Sequence, residues 1–350
     1  MLCLANLLFH NMANQIEKDQ LFENIRLLLV SARQNVLRQI NTTMVHTYFE
    51  IGKTIVEDEQ KGEKRANYGA KILKNLSNQL MREFGKGYSL TNLKQMKSFY
   101  LTYSKGQTVS DQSEKSETLS RIFKLSWSHY VLLMRLDEPI RKFYEIEAVQ
   151  NNWSLRELKR QFNSALYERL AFRRDKQKII ELSSKGQIVE DPTDLIKDPY
   201  IFEFLGLKED KSYSESEIES KLIDNLRNFL LELGKGFTFV SRQQRISFGE
   251  QHFFIDLIFY NRLLKCFVIF DIKIGELKHQ DLGQLQMYVN YYDRTIKASE
   301  ENKTIGILLC ANKNDTIVKM TLPEDNRQLF ASKYKLYLPT KDELVKQVKL

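Results

Sequence analysis

Apolar residues follow a helical period through the first half of the chain. Across Leu21–Ile55 they recur at steps of three or four, which traces one stripe along a long amphipathic helix. A second helix is expected at about Ala70–Phe84, and Gly85 supplies the permissive backbone that ends it. Ser89 can cap a third helix, Leu90–Tyr103. The pattern therefore predicts an all-α N-terminal domain.

Two polar stretches interrupt this pattern. Residues 105–120 hold almost no large apolar side chains, so burial cannot offset the entropy lost on ordering, and a mobile loop is expected. Helices are expected again from Trp127, and Ser154 and Glu157 form a capping box for one of them. Residues 176–200 are polar and are typical of an inter-domain connection.

Beyond this connection the period changes from helical to strand-like. A helix is expected at about residues 215–233 and another at 281–292. Four segments rich in Phe, Val and Ile are expected to be strands: Phe237–Phe248, Phe253–Tyr260, Cys266–Ile274 and Thr304–Cys310. Helix, three strands, helix and strand is an α/β arrangement. We therefore expect a helical domain over residues 20–175, a linker over 176–200 and an α/β domain over 201–350.

The charge balance favours a polyanionic partner, but only weakly. With 53 basic and 45 acidic residues the net charge is +8, and basic side chains gain affinity for DNA by displacing counterions from phosphates. Many proteins without a nucleic-acid role are equally basic. The three cysteines lie far apart and form no Cys-x-x-Cys pair, so neither a disulfide framework nor a thiolate zinc site is expected, and the reducing cytoplasm fits best.

The first residues are apolar without resembling a membrane anchor. Met1–Phe9 is too short to span a bilayer and has no basic residues ahead of it, as a signal peptide would, so no membrane partner is expected. An ordinary polar helix start follows Met12. Residues 1–11 are therefore open to interpretation as an extension that does not belong to the native protein.

Two aspartates fall opposite each other in a predicted β-hairpin. If the turn centres on Leu263 and Leu264, residues equidistant from it face each other, which places Asp256 opposite Asp271. Side chains two apart on a strand share a face, so Lys273 points the same way as Asp271. Two like charges repel in this position, and a sheet tolerates them most readily when a cation lies between them.

The flanking helices add polar side chains to this surface. Glu219 lies on the inward stripe of the helix before the strands, in line with Leu222, and Gln284 and Tyr288 share a face of the later helix. Carboxylates such as those of Glu219, Asp256 and Asp271 suit Mg²⁺ or Mn²⁺. A lysine beside such a metal can position or deprotonate water and offset developing charge in phosphodiester hydrolysis.

A purely structural interpretation remains open for each residue taken singly. Asp271 and Lys273 could form a simple ion pair at a strand end, Asp256 could be a solvated edge residue, and Glu219 could lie in a frayed first turn. All four residues falling into mutual register by chance is much less expected. The constellation as a whole favours a metal-dependent site.

Six short motifs stand out in the two halves of the chain: Tyr48–Gly52, Glu83–Ser89, Trp153–Glu157, Gly236–Gln243, Phe254–Tyr260 and Gly283–Tyr288. Together with Asp256 and Asp271-Ile272-Lys273, these motifs resemble the YhcG-type family of nucleases. The resemblance covers nearly the whole chain from about residue 20. It implies a helical N-terminal domain followed by a restriction-endonuclease-like PD-(D/E)XK domain.

Roles are also expected for the individual residues of the constellation. Asp256, Asp271, Lys273 and Gln284 are expected to be catalytic, and Glu219 is expected to join the two aspartates as a metal ligand. Asp271 stands where such proteins commonly have glutamate, which is one methylene longer.

The second and third helices have the outline of a helix-turn-helix. The outer face of the third carries Asn92, Lys94, Gln95 and Lys97, which could contact DNA, and Tyr288 is a further expected nucleic-acid contact. The alternative is an ordinary helical hairpin with a solvated face. Contact with protein partners or homo-oligomerisation is an equally serious use of this domain.

The sequence as a whole predicts a cytoplasmic, Mg²⁺- or Mn²⁺-dependent nuclease that hydrolyses DNA, in DNA processing or in defence against foreign DNA. Two alternatives remain: a non-catalytic DNA-binding or scaffold protein that keeps the nuclease fold, and a subunit that is active only within a larger nucleoprotein assembly.

Overall fold

The computed structural model forms two compact units. The first comprises Met1–Arg141 and Ala148–Leu155, and the second comprises Lys142–Glu147 and Arg156–Leu350. The expected mobile loop at 105–120 lies outside the described residues. The backbone is described for residues 2–61, 66–104, 123–171, 176–208 and 213–339, and the side chains from residue 20 onward except at 34, 61, 66–70 and 176.

The first half of the chain is helical, as predicted. Its helices end close to the expected residues, and the side chain of Ser89 accepts a hydrogen bond from the backbone N–H of Asn92 at the start of the third. The helices through residue 185 are α1 (Leu2–Lys61), α2 (Ala66–Phe84), α3 (Leu90–Tyr103), α4 (Trp127–Leu133), α5 (Glu138–Gln150), α6 (Leu155–Asn163), α7 (Leu166–Ala171) and α8 (Lys176–Lys185).

The apolar stripe of α1 is buried only near the end of the helix. Val45 and Phe49 lie in the core, where they belong to the part of α1 that runs beside α3, whereas Leu21 is 61% and Leu28 is 70% exposed. The periodicity predicted the helix correctly, but it did not show how little of the stripe is covered. In the described part of the chain, no helix is both long and apolar enough to cross a bilayer.

The contact between α1 and α3 depends on Gly52. A Cβ atom at this position would lie 2.1 Å from the carbonyl oxygen of Met96, so the two backbones can meet only where the side chain is absent. An aromatic cluster fills the space beside this contact. Phe99 of α3 lies in edge or tilted packing with Phe49, Phe123 and Tyr130.

The second unit contains a six-stranded mixed sheet in the order β1-β6-β5-β4-β3-β2. β2, β3 and β4 are antiparallel neighbours, while β4, β5, β6 and β1 run parallel. The α/β domain that the pattern predicted is thereby confirmed, although β1, β6 and α12 were not predicted. The elements are β1 (Tyr200–Ile201), α9 (Glu215–Asp224), α10 (Leu226–Leu233), β2 (Phe237–Phe248), β3 (Gln251–Asn261), β4 (Cys266–Glu276), α11 (His279–Tyr291), β5 (Ile305–Asn312), α12 (Asp315–Thr321) and β6 (Leu329–Lys335).

Apolar layers cover both faces of this sheet. On one face Leu222 of α9 and Phe229 of α10 pack with Phe259 and Phe270 of the central strands. On the other face α11 packs with side chains of β4 and β5. Because Gly306 has no Cβ, Leu285 of α11 approaches β5 closely, and a Cβ there would lie 2.8 Å from the Leu285 side chain.

The β3–β4 hairpin has the register that the sequence predicted. Its pairs run from Leu257 with Phe270 to Asn261 with Cys266, so the turn centres between Leu263 and Leu264. Continuing this register by one step brings Asp256 opposite Asp271, and the backbone N–H of Ile272 donates to Asp256.

A buried ionic cluster joins the segments around β1 to α10. Glu232 is fully buried, pairs with Arg169 and with Arg160 at 3.2 Å, and accepts a hydrogen bond from the backbone N–H of Ile201 at 3.0 Å. Lys197, also buried, donates to the backbone carbonyl of Glu232. Residues 176–200, which the sequence suggested as a linker, therefore contain α8 and contribute part of this core.

Replacing Glu232 by glutamine should strongly destabilise the second unit. The change leaves the buried cation of Arg169 without its carboxylate, a loss worth about 3–5 kcal/mol in comparable buried pairs, while Arg160 keeps its pair with Glu203. Urea unfolding should show the loss. Glu181→Gln is the matched control, because Glu181 pairs with Lys185 on the surface and should contribute less than about 1 kcal/mol.

The same residue gives the stability a pH dependence. Burial acts to raise the pKa of Glu232, but Arg169, Lys197 and Arg160 outweigh it and hold the pKa at about 2 instead of 4.5. A depressed carboxyl pKa contributes stability above the unfolded value that is lost as pH falls towards the folded value. Wild type should therefore lose its advantage over Glu232→Gln as the pH falls from about 4.5 to about 2, and an advantage that persists there would contradict the assignment.

Candidate active site

Three predicted site residues meet where β3 and β4 leave the centre of the sheet. The backbone N–H of Ile272 donates to Oδ2 of Asp256 at 2.8 Å, which fixes that carboxylate against β4. Nζ of Lys273 lies 3.2 Å from Oδ2 of Asp271 and 3.6 Å from Oε2 of Glu215. The strand register thus brings both aspartates and the lysine together.

Asp271 is a buried acid, and one of its two carboxylate oxygens has unfilled hydrogen-bonding capacity among the described residues. Its side chain is 1% exposed, and its Oδ2 atom accepts no well-directed hydrogen bond from any described residue despite the nearby ammonium. Burial, and then the charge of Asp256, raise the pKa of Asp271 to about 7, while Lys273 opposes the shift. Burial likewise raises the pKa of Asp256. Keeping both carboxylates ionised at this site therefore costs free energy.

Lys273 is held as a cation. Partial burial acts to lower its pKa, but Asp271 and Glu215 outweigh this and raise the pKa to about 12. A protonated lysine offers a positive charge to a phosphate. The two roles that the sequence left open for Lys273, base and electrostatic partner, stay predictions.

The side chain of Gln243 lies between Glu219 and the aspartate pair. Glu219 lies on α9, and the side-chain amide of Gln243 donates to Glu219 and, at 3.2 Å, to Oδ1 of Asp256. Burial raises the pKa of Glu219. Among the described side chains, no three acids, histidines or cysteines converge closely enough to enclose a metal ion. Gln243 therefore separates the third acid from the other two.

The sequence did not single out Gln243 or Glu215. Gln243 has a φ of 46°, in the left-handed region, within a β2 strand whose register shifts between Phe239 and Ser241. Its signal was its place at the end of the family motif Gly236–Gln243. Glu215 lies one helical turn before Glu219 on α9, and this i,i+4 spacing could have identified it.

Gln284 and Tyr288 support β3 from the side of α11. The Gln284 amide donates to the Tyr288 hydroxyl, which donates to the backbone carbonyl of Phe254 at 2.9 Å. Tyr288 is fully buried. It is therefore placed to position the strand that carries Asp256, and its burial does not fit the expected contact with nucleic acid.

The expected DNA-contacting face of α3 is partly occupied by internal contacts. Asn92 donates to the carbonyl of Gly87 and accepts from the Trp127 indole at 2.9 Å, and Lys97 pairs with Glu59. Lys94 is exposed and Gln95 is half-buried. Asn92 and Lys97 thus stabilise the helical unit.

A mixed sheet flanked by helices, with an acid on one central strand and an Asp-x-Lys pair opposite it on the next, defines a nuclease domain of the PD-(D/E)XK class. Residues 193–349 match the YhcG PDDEXK nuclease domain, and residues 24–169 match the DUF1016 N-terminal domain. Nuclease domains of this class generally use divalent metal ions.

A curated relative supports the same assignment. The chain is 38% identical over 353 residues to the Escherichia coli (strain K12) protein named "Putative nuclease YhcG", and the match covers 94% of each chain. The chain therefore belongs to the YhcG family of PDDEXK nuclease-domain proteins.

Solved structures give a more distant comparison. A repair endonuclease from Pyrococcus abyssi matches with 22% identity over 38% of this chain and 50% of its own, at a TM-score of 0.26. The structure of an EndoMS–dsDNA2 complex matches with 15% identity over 39% of this chain and 51% of its own, also at 0.26.

Replacing Asp271 by asparagine should stabilise the protein in metal-free buffer. The variant removes a buried charge that faces Asp256, and single stabilising substitutions commonly add about 0.5–2 kcal/mol to the free energy of unfolding. Because the pKa of Asp271 is raised in the folded protein, wild type loses stability as the pH rises from 3.8 to about 7. The stability difference between Asp271→Asn and wild type should therefore be small near pH 3.8 and reach its full size above about pH 7. Denaturant titrations across this range would show a constant difference if the idea is wrong.

Proposed function

We propose that this protein is a metal-dependent DNA nuclease whose reaction centre is formed by Asp256, Asp271 and Lys273. The observation that carries the proposal is the buried Oδ2 atom of Asp271, which lacks a well-directed hydrogen bond and faces a second carboxylate beside a protonated lysine. Such a group of charges is costly in a folded core. It is best accounted for by a divalent cation and a phosphate that complete it.

The donor atoms fit Mg²⁺ or Mn²⁺. Hard oxygen ligands in small number suit these ions, which keep several waters when bound by one or two carboxylates. Asp256 and Asp271 are the proposed direct ligands, and Glu219 is a third acid that Gln243 holds nearby. When bound, the metal would polarise a phosphoryl oxygen and make bound water more acidic.

The protein groups supply position and charge. The N–H of Ile272 fixes Asp256, and Gln284 acts through Tyr288 to hold β3 in place. Lys273 presents its cation to the charge that develops on the phosphate during cleavage, which is where preorganised charge contributes most. We further propose that the activity serves DNA processing or defence against foreign DNA in the cytoplasm.

A cleavage assay with divalent metal tests the proposal. Asp256→Ala and Lys273→Ala should each lower the rate on DNA by about 100- to 1,000-fold, the usual cost of removing one group that stabilises transition-state charge. The assay should compare single-stranded, double-stranded and branched DNA with Mg²⁺, with Mn²⁺ and with EDTA.

Matched controls are exposed residues of the same types in the same unit. Asp325→Ala and Lys319→Ala should cleave like wild type, because both side chains lie on the surface. Equal rates in wild type and in the two site variants, with metal present, would contradict the proposal. Salt-sensitive DNA binding that ignores Mg²⁺ would instead favour a non-catalytic DNA-binding protein.

Metal binding should be visible without any substrate. A ligand that binds only the folded state at about 100 times its dissociation constant stabilises that state by about 2.7 kcal/mol. Thermal unfolding should therefore shift upward with Mg²⁺ for wild type and for Asp325→Asn, and lose most of this shift for Asp271→Asn. The same shift in all three proteins would mean that Mg²⁺ binds elsewhere.

A further inference from the structure

The β2–β3 hairpin projects beyond the rest of the sheet. β3 pairs with β4 only over Leu257–Asn261, whereas β2 and β3 remain paired as far as Phe248 and Gln251. Residues 242–257 therefore form a two-stranded ribbon, called here the distal ribbon, with Asp256 at its base.

One face of the distal ribbon is packed against the domain. Ile246 is buried and belongs to the same apolar cluster as Phe253 and α11. Phe248 lies edge-on to Tyr291, with 5.8 Å between the ring centroids. This face keeps the ribbon in place.

The opposite face, called here the open face, lies next to Asp256 along β3. His252 and Phe254 alternate with Phe253 and Ile255 of the packed face, and the pairing places Arg245 beside Phe254 and Ser247 beside His252. Ser247 and His252 share a hydrogen bond of 2.9 Å between Oγ and Nδ1. Phe254 is two residues, or about 7 Å of strand, from Asp256.

Phe254 and Arg245 both have exposed side chains that are open to a ligand. The Phe254 side chain is 48% exposed, and its ring packs on no other aromatic ring of the described residues. The guanidinium of Arg245, also exposed, forms no hydrogen bond or ion pair within the described part of the chain. An exposed aromatic ring beside an exposed guanidinium suits a ligand that combines a flat π-system with a negative charge, as a nucleotide does.

We propose that the open face binds a single unpaired DNA strand, with one base stacked on Phe254 and a phosphate at Arg245, and guides that strand to Asp256. In a duplex the flat faces of the bases are covered by their neighbours, so the Phe254 ring fits an unpaired base or a strand end. The proposal rests on the nuclease function proposed above, because it names the substrate form that this same site takes.

Binding measured in EDTA tests this without cleavage. Fluorescence anisotropy on full-length protein should compare labelled oligo-dT with a blunt hairpin duplex. Phe254→Leu keeps apolar area but removes the stacking platform, and should weaken binding of oligo-dT by about 5- to 150-fold, as expected for one stacked base. Duplex binding should stay unchanged, and Phe254→Trp should bind oligo-dT at least as well as wild type.

Arg245→Gln provides an independent variant. It should weaken oligo-dT binding and lower the slope of log K against log salt by about 0.7, the loss of one phosphate contact on a single strand. Arg262→Gln is the matched control, since Arg262 is exposed in the turn at the opposite end of β3. Circular dichroism and thermal unfolding should show that each variant is folded.

The outcomes separate this proposal from the nuclease function. Unchanged oligo-dT binding by both Phe254→Leu and Arg245→Gln would overturn the strand-binding role even if the wild type cleaves DNA. Equal losses on oligo-dT and duplex would overturn it too, because the ribbon would then contact duplex DNA. If oligo-dT binding depends on both residues while wild type cleaves nothing with metal, the strand-binding role stands and the nuclease function fails.

Discussion

The pairing of β3 with β4 is the constraint on which the reaction centre depends. Asp256 and Asp271 belong to segments separated by a turn, and only one register sets them opposite each other. A slip of one residue would turn every side chain of one strand to the other face of the sheet. The register is secured by apolar side chains, since Leu257, Phe259 and Phe270 are fully buried. The burial of these neighbours therefore holds together two acids that would otherwise separate.

Much of this arrangement could be predicted because it is local. Apolar strand periods and a short turn determine which residues face each other across a hairpin, so Asp256, Asp271 and Lys273 could be grouped from the sequence. The i,i+4 spacing of Gln284 and Tyr288 likewise put them on one face of α11, where they form a hydrogen bond. Their connection to the Phe254 carbonyl requires the packing of α11 on β3, which no short segment encodes.

What the sequence did not reveal depends on tertiary context. Gln243 reaches both Glu219 and Asp256 only because its backbone takes a left-handed conformation in an otherwise extended strand. The exposure of Leu21 and Leu28 depends on how far α1 runs past its neighbours, and helical periodicity carries no such information. Glu232 looks like an ordinary helical glutamate until the cations of Arg160 and Arg169 are brought to it from distant segments.

The position of β6 gives the protein an order of assembly. β6 ends at Lys335 and lies between β5 and β1, and within the described sheet β1 pairs with β6 alone. During synthesis, β1 leaves the ribosome more than a hundred residues before its only strand neighbour exists. The sheet that supports Asp271 is complete only once the chain has been made as far as Lys335. A chain that ends before Leu329 therefore lacks two pairings of this sheet, β5 with β6 and β6 with β1.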